Sequence, residues 1–164
     1  MGSLYQYYPN KDAILVELAE RHIDAGFARV RELLGEALAE QPELETLLRR
    51  FVEGMIALHD HEPELHRVLF EEAPLPASLR RRLRSREAEF AAEVAGLLDS
   101  HPQVRRPDSA LCAYVVVQTV EGLVHGFVLH PPEGIEARAL CEEIVEMLQR
   151  HLSAPGPAPR AQPA

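Results

Sequence analysis

The sequence predicts an all-α domain of about seven helices. Three observations carry that expectation. Strict alternation of apolar and polar residues never holds for long, so strand signals are nearly absent. Apolar residues instead recur at three-to-four spacing through most of the 164 residues, the period of a helix with one buried face. Prolines stand where such registers begin, and proline suits a first helical turn because its missing N–H would have no partner there.

The elements follow in order. A short helix is expected from Ser3 to Tyr7, stopping before Pro9. A long one runs from Asn10 or Lys11 to Ala39, with Ile14, Leu15, Leu18, His22, Phe27, Val30, Leu34 and Leu38 as its apolar register. Pro42 opens the next, carrying Leu44, Leu47, Leu48, Phe51, Met55, Leu58 and His59. Pro63 opens a short helix to about Glu72, which Pro74 and Pro76 break. A helix from Ala77 to Asp99 carries Leu79, Leu83, Phe90, Val94, Leu97 and Leu98, and Pro102 and Pro107 bracket the loop after it. The most apolar helix spans Asp108 to His130 and ends at Pro131-Pro132. The last runs from Ile135 to Leu152, and the Pro-Ala-rich stretch from Ser153 to Ala164 is expected to be a disordered tail.

Composition narrows the function. Hydrophobic residues are 46% and charged residues 26%, a globular balance. A formal net charge of −9 repels nucleic acid and anionic membrane as a whole, so any DNA contact must be local. Cys112 and Cys141 each lie in an apolar register without Cys or His at metal spacing. Small buried hydrophobes are expected, with a disulfide as the alternative. Ala110 to Leu129 is long and apolar enough to raise a membrane span, but Gln118, Glu121 and His125 lie inside it. An acid at mid-bilayer costs about 3 kcal/mol, so a buried helix is expected and no membrane partner. Met1 to Asn10 lacks the basic start and apolar run of a signal peptide, which makes the cytoplasm the expected location.

Gly2-Ser3-Leu4-Tyr5-Gln6-Tyr7-Tyr8-Pro9-Asn10-Lys11-Asp12-Ala13-Ile14 closely resembles the recognition helix and following turn of the tetracycline-repressor (TetR) family of bacterial transcription regulators, with Tyr8 where Phe is common. Small residues at the helix start would let Gly2 and Ser3 approach the major groove. Gln6 is the best base reader by type, while Tyr5, Tyr7 and Lys11 suit phosphates. Leu4 and Tyr8 would face inward, Asn10 would cap the next helix, and Asp12 would sit in its first turn. On residue types alone, an aromatic helix packed in a core is the plainer reading; the resemblance turns it.

The resemblance implies a TetR-like helical bundle in three parts. Residues 1–16 would be a remnant of the helix-turn-helix, 17–152 the ligand-binding and dimerisation domain, and 153–164 the tail. It implies operator DNA, an unidentified small-molecule effector and a second copy of the chain as partners, with no cofactor. A helix-turn-helix needs a positioning helix before the recognition helix, and the chain opens inside the motif. The expectation is therefore a truncated N-terminus, through cloning, start-site assignment or gene decay, and weak or no operator binding as written. The alternative function is a headless helical module that pairs with an intact relative.

The Asp108–His130 helix supports a regulatory core directly. At 100° per residue, Tyr114, Gln118, Glu121 and His125 fall within about 60° of one another. Ala113, Val116, Val117, Val120, Leu123, Val124 and Phe127 fill the opposite side, and Gly122 and Gly126 form a third face where another helix could approach. The final helix has Leu140, Ile144, Met147, Leu148 and His151 on one side. With Leu111 and Val115, these residues suggest a four-helix interface across a two-fold axis. The polar stripe has two readings. One is a ligand pocket, with Tyr114, Gln118 and His125 as orienting groups and Phe51, Met55, His59, Phe70 and Phe90 as lining. The other, and the commoner use of such stripes, is a hydrogen-bonded network at the dimer seam or a solvent edge.

Two further clusters read more plainly. His59, His61 and His66 suggest a metal, but residues two apart on a helix diverge and Pro63 interrupts the segment. Surface and capping histidines are expected, and no metal. Arg80-Arg81-Arg82-Leu83-Arg84-Ser85-Arg86 suggests nucleic acid, yet Glu87, Glu89 and Glu93 stand at helical spacing to pair with it, so a solvated face is expected. No nucleophile–base pair or Gly-rich phosphate loop argues for an enzyme.

Overall fold

The structure is a computed structural model that describes residues 10–72 and 75–155, without the side chains of Ala37, Leu38 and Phe70. Among the described residues, six α-helices follow one another: α1 (Lys11–Ala39), α2 (Leu44–Asp60), α3 (Pro63–Arg67), α4 (Ala77–Ser100), α5 (Ser109–Leu129) and α6 (Ala137–Ser153). Between α3 and α4 the chain widens into a π-helical turn, Val68–Glu72. The expected Ser3–Tyr7 helix and most of the expected tail lie outside the described residues. Ser153, assigned to that tail from sequence, instead closes α6.

Local chemistry fixes the helix starts. Asn10 Oδ1 accepts from the Ala13 amide at 2.9 Å, and Asp108 Oδ1 accepts from the Leu111 amide at 2.9 Å. Each such cap is worth about 1 kcal/mol. α2 begins two residues later than Pro42 predicts, and its first amide, Leu44, donates to Gln103 Oε1 at 2.6 Å. That cap comes from the loop after α4, so sequence neighbours could not reveal it. Gln41 turns the chain between α1 and α2 with φ of 47°, in the left-handed region. Gly54 lets α1 lie close on α2, since a Cβ there would stand 2.5 Å from Leu33 Cδ1.

α5 runs through the middle of the core. Cys112, Ala113, Val116, Val117, Val120 and Val124 are its buried face, packed against α2 and α4. α6 closes on α2 through Cys141, Ile144, Val145, Leu148 and Leu152. These residues join Leu44, Leu48, Val52, Phe90, Val94 and Leu98 in one apolar cluster. A smaller cluster joins Ala19 and Ile23 of α1 to Leu69 of the π turn and Leu79 of α4. α5 is long and apolar enough to cross a membrane, but its Val-rich face is the centre of this domain. Cys112 and Cys141 are free, buried thiols, and burial pushes both up from their ordinary range.

Four expectations need correction. Leu18 is 39% exposed, while Ala19 and Ile23 are buried; the stripe of α1 departs from the sequence reading there, whereas Val30 is buried and Phe27 and Leu34 pack on the core as that reading has them. Leu123 is 43% exposed rather than part of the core face of α5. Ile144 and Leu148 are each 1% exposed, so the core uses them up and they leave no surface for a partner. The arginine run pairs chiefly across helices. Arg82 meets Glu20 at 3.0 Å and Asp24 at 2.8 Å, and Arg86 reaches Asp24 at 3.5 Å as well as Glu89 at 3.3 Å. Arg31 of α1 meets both oxygens of Glu93 at 3.0 and 2.9 Å. Each exposed pair is worth under about 1 kcal/mol, but together they run along the α1–α4 seam.

The phase of α1 is testable by urea unfolding. Ile23→Ala should cost about 2–5 kcal/mol, and Leu18→Ala about 0.5 kcal/mol or less. The reverse order would put the buried stripe where the sequence alone places it.

Candidate functional site

A cavity of about 180 Å³ lies among α1, α2, α4 and α5, with α3 at one end. Each wall is one helical stripe. α1 supplies His22, Ile23, Gly26, Phe27 and Val30, and α2 supplies Phe51, Met55, Leu58 and His59. α4 supplies Leu83, Glu87 and Phe90, α5 supplies Val117, Gln118, Glu121 and His125, and α3 adds His66. The intervals of three and four are those that put side chains on one face of a helix. The cavity is therefore a gap that four amphipathic faces do not close.

Its lining is divided. Toward one part, Phe90 stacks at a tilt on Phe27 and Phe51, with ring centroids 6.1 and 6.0 Å apart. That spacing is normal for favourable aromatic pairs. Toward the other, four imidazoles from four helices converge. His66 lies 4.6 Å from His59 and 4.7 Å from His125 between ring centroids, and His59 lies 5.8 Å from His125. His22 Nε2 and His66 Nδ1 share a hydrogen bond of 2.9 Å. One ring must donate and the other accept, so both cannot be charged and keep it. His59 Nδ1 donates to the Met55 carbonyl at 2.8 Å, which turns Nε2 toward Glu121 Oε1 at 3.7 Å.

Electrostatics follow from burial. Burial, then the neighbouring His59, His125 and His22, hold His66 down to about 3. Burial also lowers His22 and His125, against weaker pulls from Glu62 and Glu121 respectively. His59 differs: burial pulls it down, but Glu121 and the Met55 carbonyl outweigh that and raise it. Burial and the charge of Glu121 raise the Glu87 carboxyl. The cluster thus combines three imidazoles held neutral, one biased toward protonation and two carboxyl groups. Among the described residues, no group of three or more His, Cys, Asp or Glu is placed to hold a metal ion.

Six of the residues expected in a pocket line this cavity: Phe51, Met55, His59, Phe90, Gln118 and His125. Tyr114 does not; it is 59% exposed on α5. The side chain of Phe70 lies outside the described residues. His59 and His66, read from sequence as surface or capping histidines, are buried. Of the residues expected at the dimer face, Leu111, Gly122, Gly126 and Met147 are exposed, and Val115 and Leu140 are half-buried. His151 is half-buried and held by Arg106, whose guanidinium donates to its Nδ1 at 3.0 Å. Gly2, Ser3, Tyr5, Gln6 and Tyr7 lie outside the described residues, and Lys11 is exposed at the start of α1. The sequence reading missed His22, His66 and Glu87 as cavity residues. A signal existed: His22 and His59 both stand in apolar registers, where an imidazole is out of place unless it meets a partner.

The buried imidazoles make stability fall with acid. Below its ordinary value near 6.5, an unfolded His66 takes up a proton that the folded one refuses until about 3. Stability is therefore present above pH 6.5 and is lost as pH falls through that window, by at most about 1.4 kcal/mol per pH unit for one such group. His59, raised in the fold, works the other way. Urea unfolding between pH 7.5 and 5.5 should show a net loss that His66→Leu makes shallower. An equally steep loss in His66→Leu would place the acid sensitivity elsewhere.

Comparison with known proteins adds one finding. A family model described as tetracyclin repressor-like, C-terminal domain, matches residues 43–152. No curated protein and no solved structure matches the chain. The matched span runs from the residue before α2 nearly to the end of α6, and so takes in most of the cavity and the whole of α5. With 110 of its 164 residues inside that domain, the chain belongs to the tetracycline repressor family.

Proposed function

We propose that this chain is a TetR-type transcription regulator whose helical domain dimerises and receives a small-molecule effector in the four-helix cavity. The observation that carries the proposal is the divided lining: an aromatic part for an apolar body, and a part bearing imidazoles, Gln118 and carboxyl groups to orient it. Effector pockets need this combination, because apolar contact supplies affinity and a few fixed polar groups supply selection.

The outer face of α5 supports the dimer. Leu111, Tyr114 and Leu123 are 57%, 59% and 43% exposed, and Met147 of α6 is also 43% exposed. A Cβ added at Gly122 or Gly126 would meet nothing within 4 Å. The fold of one chain therefore does not require glycine at either position, whereas close approach by a second copy of α5 would. Light scattering should give a dimer. Gly122→Leu should shift it to monomer with helicity retained, since the added side chain strains nothing within the chain. A wild-type monomer at high concentration would refute the interface.

Operator DNA is the partner that residues 2–11 imply by resemblance. A two-fold dimer reads two half-sites related by inversion. In a form that carries a complete helix-turn-helix, selection from a random duplex pool should enrich an inverted repeat, and Gln6→Ala should relax its sequence preference; the chain as written should enrich it weakly or not at all. Failure of that complete form to enrich any duplex would favour the alternative in which the chain serves as a dimerising partner for an intact relative.

A further inference from the structure

The charges around the cavity point to the class of effector, an inference that rests on the small-molecule reading above. Among the described residues, neither arginine nor lysine lines the cavity, while Glu87 and Glu121 both do. They come from α4 and α5 and feel each other's charge. Burial holds three of the four imidazoles neutral, so they offer no positive charge to an anionic ligand. His59 offsets part of one carboxylate at 3.7 Å, and Arg84 acts on Glu87 from nearby. The lining thus holds two acids and one imidazole biased toward protonation, and the Gln118 amide adds a further acceptor.

We propose that this cavity selects an aromatic ammonium: a single aryl ring among Phe27, Phe51 and Phe90, and a protonated amine directed at Glu121 and Glu87. Size fixes the scale. A cavity of about 150 Å³ accepts benzene, so about 180 Å³ takes one ring with a short amino-bearing arm and leaves no room for a large polycycle. The phenylalanine wall accepts the ring by edge and face contacts, and its π-faces also favour a neighbouring cation. An anion of the same shape would meet two carboxylates and no cationic side chain in the lining other than His59. A neutral alcohol would find acceptors for its one proton and no charge partner.

The test uses the full chain and three probes of one shape: 2-phenylethylammonium, 2-phenylethanol and 3-phenylpropanoate, followed by ligand-observed NMR titration at pH 7.5. The ammonium should bind at least about tenfold more tightly than the alcohol, and the carboxylate most weakly. Glu87→Gln with Glu121→Gln should remove the advantage of the ammonium and leave alcohol binding within about twofold. Gly26→Leu should block all three, because its Cβ meets only Leu58 Cδ2 at an ordinary 3.6 Å while the rest of the side chain enters the cavity. Equal binding of ammonium and alcohol, both blocked by Gly26→Leu, would overturn the cation assignment and leave the pocket standing. Preference for the carboxylate would overturn it too. Binding of no probe, or binding that Gly26→Leu leaves intact, would overturn both the cation assignment and the pocket.

Discussion

One helix has to satisfy three surfaces at once, and the domain is arranged around that constraint. α5 buries Val116, Val120 and Val124 against α2 and α4, and each such side chain is worth about 1.5–3 kcal/mol. A neighbouring strip of the same helix, Val117, Gln118, Glu121 and His125, forms a wall of the cavity. A third strip, Leu111, Tyr114, Gly122, Leu123 and Gly126, faces outward. These demands explain why twenty nearly apolar residues hold a glutamate, a glutamine and a histidine at intervals of three and four.

The cavity follows from how those strips meet their neighbours. Four imidazoles come from four separate helices, so no short segment of sequence assembles them. Their closeness is tolerable only while most stay neutral, and burial keeps them so. Glu121 then sets the asymmetry, drawing one ring, His59, toward protonation. Occupation of the space by a charged ligand would therefore act on the same balance that acid acts on. The proposed effector site and the acid-sensitive part of the core are physically one region.

Helix positions were largely legible in the sequence, because proline placement, Asn10 and apolar spacing are local signals. Family membership was legible in residues 2–14 and agrees with the independent match over 43–152. Relations between helices were not. Periodicity gives an apolar stripe but not which neighbour at its edge is covered, so it offers Leu18 for the core where Ala19 and Ile23 are the buried ones, while it places Val30 correctly. It also cannot say which of two apolar faces meets the chain's own core. Ile144 and Leu148 therefore read as interface when α2 covers them, whereas Met147 stays exposed. Arg86 has Glu89 within reach on its own helix yet also reaches Asp24 of α1, and Arg82 pairs with Glu20 and Asp24 far away in sequence. His66 was judged by its sequence neighbours, and its true partners lie on α1, α2 and α5.

The central claim is that the outer strip of α5 meets its own copy at the glycines, leaving the inner strips to core and cavity. Disulfide trapping tests this most directly. The chain's two cysteines are both buried, so Leu123→Cys, at an exposed position beside Gly122 on the outer strip, supplies one exposed thiol on an otherwise unreactive surface. Mild oxidation should convert the protein to a covalent dimer of unchanged helicity within minutes, and Arg138→Cys, at an exposed position in the first turn of α6 and outside the strip, should not do so. A Leu123→Cys protein that stays monomeric while its thiol reacts freely with a small alkylating reagent would contradict the claim.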